Sequence, residues 1–94
     1  MNDLNARSRK ALEELEMCVE QLLQDSPEGL RNSDIADALG LRSSMNGSQK
    51  DYLTYSVLGI LMQQGRVIKD LGRAHSVVYR VAPKRLDSAE SSGA

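Results

Sequence analysis

The chain has 94 residues, twelve basic and thirteen acidic, with a formal charge of −1, 40% hydrophobic residues and three tyrosines as its only aromatics. These values fit one ordinary globular domain and exclude a fibrous or charge-dominated disordered chain. A chain this short buries a modest core and leaves little room for an enclosed catalytic cavity. The balance of −1 also argues against a uniformly basic nucleic-acid binder, but the charge is unevenly placed. Residues 1–41 hold four basic and nine acidic groups, a balance of −5; residues 42–85 hold eight basic and two acidic groups, a balance of +6. Such asymmetry points toward a polyanionic partner.

No apolar run approaches the length needed to span a bilayer. Met1 to Arg7 holds no signal-peptide core, and the single cysteine, Cys18, forms no disulfide within the chain and no multi-cysteine metal site. A reduced, cytoplasmic setting is expected. The triplet Asn46-Gly47-Ser48 matches a glycosylation acceptor, which in such a setting is chance.

In chain order, Asp3 to Gln24 reads as a long amphipathic helix. Leu4, Ala11, Leu12, Leu15, Cys18, Val19, Leu22 and Leu23 recur at spacings of three and four, while Glu13, Glu14, Glu16, Glu20 and Gln21 fill the other face. Residues 1–10 extend this helix, either frayed or pairing with a second subunit in a two-fold homodimer. Ser26-Pro27-Glu28-Gly29 is a stop and a turn. A short second helix follows, capped by Asn32 or Ser33, burying Ile35, Ala36 and Leu39 and ending at Gly40.

Arg42 to Gly47 is polar and reads as a loop. Ser48-Gln49-Lys50-Asp51 has the spacing of a capping box and predicts a third helix over about Gln49 to Gln64, ended by Gly65. Leu53, Val57, Ile60 and Leu61 face its buried side, with Thr54 and Leu58 at the margin. Ser48, Tyr52, Tyr55 and Gly59 lie opposite. Val67–Leu71 and Ser76–Val81 are rich in β-branched residues and are joined by a hairpin-length link, Gly72 to His75. The residues from Pro83 to the end are expected to form a polar, disordered tail.

The expected fold is mostly α with a C-terminal β-hairpin. Ser33-Asp-Ile-Ala-Asp-Ala-Leu-Gly-Leu41, the helix Tyr52 to Met62, Gln64-Gly65-Arg66-Val67 and Val78-Tyr79-Arg80-Val81 together resemble the winged helix-turn-helix superfamily over about residues 11–82. The likeness is closest to small modules of bacterial and phage regulators, or of restriction-type nucleases. Arg42 to Gln49 is longer than the tight turn usual in such motifs.

The resemblance implies double-stranded DNA as partner, with the third helix in the major groove and the hairpin on the backbone. The matching positions are Ser44, Asn46, Ser48, Gln49, Lys50, Tyr52, Tyr55 and Ser56 for the helix and its approach. For the hairpin they are Lys69, Arg73, His75 and Arg80. Ser48 at a helix N-terminus suits a phosphate. Gln49 can read adenine, Lys50 and Arg73 can neutralise phosphates, and tyrosine hydroxyls can reach phosphate oxygens.

Each position also has a plainer reading. The tyrosines can cover the core edge, and the hairpin charges can be solvated residues that discourage strand-edge pairing. No P-loop, zinc-protease or nucleophile-elbow spacing occurs, and no acid–base pair stands out, so no enzyme, cofactor or metal is expected. The rivals to DNA reading are a protein-interaction module of the same fold and a non-catalytic accessory of a nuclease.

Overall fold

The computed structural model describes residues 2–45 and 47–83. Three helices are followed by an antiparallel two-stranded hairpin: α1 (Asn2–Gln24), α2 (Asn32–Leu39), α3 (Tyr52–Gln63), β3 (Val67–Leu71) and β4 (Val77–Val81). A ribbon of two-residue strands, β1 (Ser44–Met45) and β2 (Ser48–Gln49), stands between α2 and α3. The expected tail from residue 84 onward, Asn46, and the side chain of Gln49 lie outside the described residues. No helix among the described residues is long and apolar enough to cross a membrane.

The core gathers Val19 and Leu23 of α1, Ile35 of α2, Val57, Leu58 and Leu61 of α3, Val67 of β3 and Tyr79 of β4. The helix periodicity of α1 is right, but the rest of the domain covers only part of one face of its C-terminal half. Leu4, Ala11, Leu12 and Cys18 are therefore exposed, contrary to the expectation of one continuous buried stripe. Glu16 is buried instead of solvated. Its carboxylate accepts from Arg66 at 3.4 Å, and the same guanidinium donates to Glu20 at 2.5 Å. A charge enters the interior only with such a partner.

α1 ends where the turn residues predict, with Gly29 N–H donating to Ser26 O at 2.8 Å. Gly29 has φ +91°, and a Cβ there would lie 2.8 Å from Val78 Cγ2. Only glycine tolerates both constraints. The next residue, Leu30, makes an antiparallel bridge to Tyr79: each N–H donates to the other's carbonyl, at 3.1 and 2.8 Å. A lone extended residue between two helices leaves no alternation in sequence, so nothing in the residues marks this third strand position beside β4.

The cap of α2 is Arg31, one residue before the expected Asn32 or Ser33. The Asp34 carboxylate accepts from the Arg31 backbone N–H at 3.2 Å and from its guanidinium at 3.1 Å. The hydrogen bond from the Arg31 side chain holds the Asp34 carboxyl below its ordinary range. Asn32 is then free to reach across to α3. Its Nδ2 donates to Asp51 O at 3.2 Å and its Oδ1 accepts from Thr54 Oγ1 at 2.8 Å. Gly40 closes α2 in the left-handed conformation, as its position predicts.

That clamp explains the correction in α3. With its hydroxyl satisfied, Thr54 is fully buried beside Val57, Leu58 and Leu61, while Leu53 is left 45% exposed. The helix is thus rotated from the expected placement, toward the residues taken as marginal.

The segment read as a loop forms the β1–β2 ribbon, with Ser44 opposite Gln49 and Met45 opposite Ser48. Its turn contains Gly47 at φ 78°. The sequence signal was Asn46-Gly47, the dipeptide that most favours a two-residue hairpin.

Candidate nucleic-acid interface

α3 begins at Tyr52, later than the predicted start at Gln49, so Ser48 does not cap it. The expected capping box is replaced by a different lock. The N-cap is Asp51, in the left-handed conformation at φ 52°, with its side chain turned inward and the residue only 3% exposed. Its carboxylate accepts from Ser43 N–H at 3.0 Å and from Arg42 Nε at 3.3 Å. Ser43 O in turn accepts from Lys50 N–H at 2.9 Å, and Ser43 Oγ accepts from Tyr52 N–H at 3.3 Å. The start of α3 and the base of the ribbon are thus fastened at one place, with a carboxylate at the positive end of the helix. Ser48 sits on exposed β2, so its assigned role of offering free helix N–H groups to a phosphate does not hold.

Tyr52, Tyr55 and Ser56 stand on α3 as the sequence placed them, whereas Gln49, on β2, and Lys50, just before the cap, lie outside the helix predicted to hold them, because Asp51 starts α3 later. Tyr52 and Tyr55 are 51% and 54% exposed, and Ser56 and Gly59 are exposed on the same helix. Lys50, just before α3, is exposed, as is Ser44 on β1.

The hairpin pairs Val67 with Val81, Lys69 with Tyr79 and Leu71 with Val77. Directly opposed residues share a face, so Lys69 lies on the face whose inner end carries Val67 and Tyr79 into the core. Burial raises the Tyr79 phenol above its ordinary pKa, and the neighbouring Tyr55 phenol adds to the rise. Tyr55 of α3 thus lies near the buried Tyr79, which is paired across the hairpin with exposed Lys69. Arg80 belongs to the opposite face, where it pairs with Asp70. Its assignment beside Lys69 and Arg73 is corrected by the period-two alternation of the strand.

At the hairpin tip Ala74 and His75 both have positive φ, 56° and 59°. Ser76 N–H donates to Arg73 O at 3.2 Å, closing the turn. Left-handed backbone costs a residue with a Cβ roughly 1–2 kcal/mol. This turn holds two such residues and presents Arg73 and His75 to solvent.

The ion pairs redraw the +6 segment. Arg42 is held by Asp51 and Asp37, Arg66 by Glu16 and Glu20, and Arg80 by Asp70. Among the described residues, Lys50, Lys69 and Arg73 are the basic groups of this segment that make no ion pair. The charge sum could not separate these two sets, because Glu16 and Glu20 lie far from Arg66 in sequence.

Gly59 offers a test that separates fold from contact. Nothing lies within 4 Å of where its Cβ would stand. Gly59→Ala is expected to stabilise the protein by up to about 1 kcal/mol in urea unfolding. If this face approaches a DNA backbone, the same substitution lowers duplex affinity in an anisotropy titration.

No known protein family, curated protein or solved structure matches this chain.

Proposed function

We propose that the protein is a winged helix-turn-helix module that binds double-stranded DNA, as a transcriptional regulator of prokaryotic or phage type. α3 enters the major groove and the β3–β4 hairpin is the wing on the backbone. The observation that carries this reading is the placement of the unpaired basic groups. Lys50 stands at the approach to α3, and exposed Lys69 is paired with Tyr79 on a hairpin whose tip presents Arg73. The antiparallel rung at Leu30, between α1 and α2, supports the winged topology by adding a strand position to the hairpin sheet. Strained backbone at the tip supports a functional wing, since strain of this kind concentrates at contact sites.

Fluorescence anisotropy with a labelled duplex tests the proposal. With Lys50, Lys69 and Arg73 as the phosphate contacts, log affinity falls with log salt at a slope of about −2.7. Lys50→Ala with Arg73→Ala weakens binding to all sequences alike and flattens the slope by about 2. Absence of binding to any duplex at about 50 mM salt rejects the reading.

One observation favours a protein partner beside this face. Leu53 is 45% exposed next to Tyr52 in the first turn of α3, an apolar surface better suited to a protein than to phosphates. Under that alternative Leu53→Ser abolishes partner capture, whereas the Lys50→Ala and Arg73→Ala pair leaves it intact.

A further inference from the structure

α1 is a 23-residue helix, about 34 Å long, and residues 3–14 are exposed throughout. One stripe along it runs Leu4, Ser8, Ala11, Leu15, Cys18 and Leu22, with spacings of four, three, four, three and four. This is the seam of a two-helix coiled coil. The order of spacings is the same in both directions. A second copy laid antiparallel therefore places Leu4 against Leu22, Ser8 against Cys18 and Ala11 against Leu15, on both sides of one two-fold axis. Leu4, Ser8, Ala11 and Cys18 are exposed, while Leu15 and Leu22 are partly buried at the edge of the core.

The surface beside the C-terminal half of α1 fits that arrangement. A groove of about 450 Å³ is lined by Met17, Cys18, Leu22 and Leu39, with Glu14 and Asp25 adding negative charge. The N-terminal half of the same helix carries the complement. Leu4 is exposed there at 59%, and Arg7, Arg9 and Lys10 outnumber Asp3. Arg9 and Lys10 have no ion-pair partner among the described residues. A parallel pairing would instead set this basic segment against its own copy. We propose that residues 3–10 of a second copy occupy this groove, making an antiparallel α1–α1 homodimer. The proposal does not depend on DNA binding.

Cys18 supplies the test. In the antiparallel register the two Cys18 residues lie on opposite sides of the axis, about 15 Å apart along the helices. Oxidised wild-type protein should therefore form no disulfide-linked dimer. Ser8→Cys brings a thiol opposite Cys18 of the second copy, and mild oxidation should then give linked dimers on a non-reducing gel. In sedimentation across a dilution series, wild type should approach twice its 10.3 kDa chain mass. Leu4→Asp with Ala11→Asp, both at exposed positions, should weaken dimerisation by about a hundredfold or more. Helical content should stay unchanged. A wild-type monomer at every concentration overturns the proposal. So does a Cys18–Cys18 link in wild type, an unlinked Ser8→Cys variant, or an aspartate variant that still dimerises.

Discussion

Asp51→Ala is expected to lower unfolding free energy by about 2–4 kcal/mol, and Asp51→Gly by about 1 kcal/mol less. Two effects add in the alanine variant. The first is loss of the buried acceptor, which strips Ser43 N–H of this partner, while Arg42, 40% exposed and also paired with Asp37, can turn to solvent. A buried donor left unsatisfied costs about 1–3 kcal/mol. The second is conformational. At φ 52° the residue is left-handed, which Asp tolerates better than Ala and glycine adopts without strain. At an ordinary N-cap glycine already costs less than alanine, so the left-handed backbone is read from a difference larger than capping alone gives. Urea unfolding with an unchanged m-value measures it. An alanine variant as stable as the glycine one would show that the left-handed cap is not under strain. Under the DNA-binding proposal, duplex affinity should fall with stability in both variants, because the lock sets ribbon, Lys50 and α3 relative to one another.

Gly29→Ala should be comparably damaging, at about 2–4 kcal/mol. The added Cβ would lie 2.8 Å from Val78 Cγ2 and 2.9 Å from Arg80 Cγ, and the backbone would keep φ +91°. Side-chain movement can relieve the first problem but not the second. Val78→Ala in the Gly29→Ala background should therefore recover part of the loss, although Val78→Ala alone destabilises. A double-mutant cycle reads this as a favourable coupling. Purely additive effects would mean that Val78 already moves aside and that only the backbone is strained. Thermal unfolding is a sufficient readout, since each kcal/mol moves the midpoint of a domain this size by about 4–8 °C.

The order of elements was legible in the sequence because it rests on local signals. Apolar spacings marked α1, Gly40 marked the end of α2, and the β-branched runs around Gly72–His75 marked the hairpin. What sequence reading missed depends on distant partners. Glu16 belongs on a solvated face until Arg66 is brought beside it. Thr54 outranks Leu53 for the core only because Asn32 and Asp51 accept its hydroxyl proton. Ser48 and Asp51 have the spacing of a capping box, yet the stronger claim on Asp51 comes from Arg42 and Ser43. The candidate interface follows the same rule. Exposure of Tyr52, Tyr55, Lys69 and Arg73 was readable from periodicity and position, whereas the diversion of Arg42, Arg66 and Arg80 into internal pairs was not. Asn46-Gly47 was a local signal that the polar character of its surroundings concealed.

The rung between Leu30 and Tyr79 has a temporal consequence. Synthesis delivers α1, α2 and α3 before β4 exists, and their helical bonds are local. Leu30 N–H and C=O wait for Tyr79, and the Tyr79 ring is itself part of the core. Closure of the sheet and completion of the core thus coincide, once the long stretch of chain from Leu30 to Tyr79 has been drawn shut. A chain truncated before β4 should therefore stay protease-sensitive, whereas one that includes Val81 should be resistant. In the finished molecule the Leu30 and Tyr79 amides should be among the slowest to exchange with solvent, which hydrogen exchange would measure.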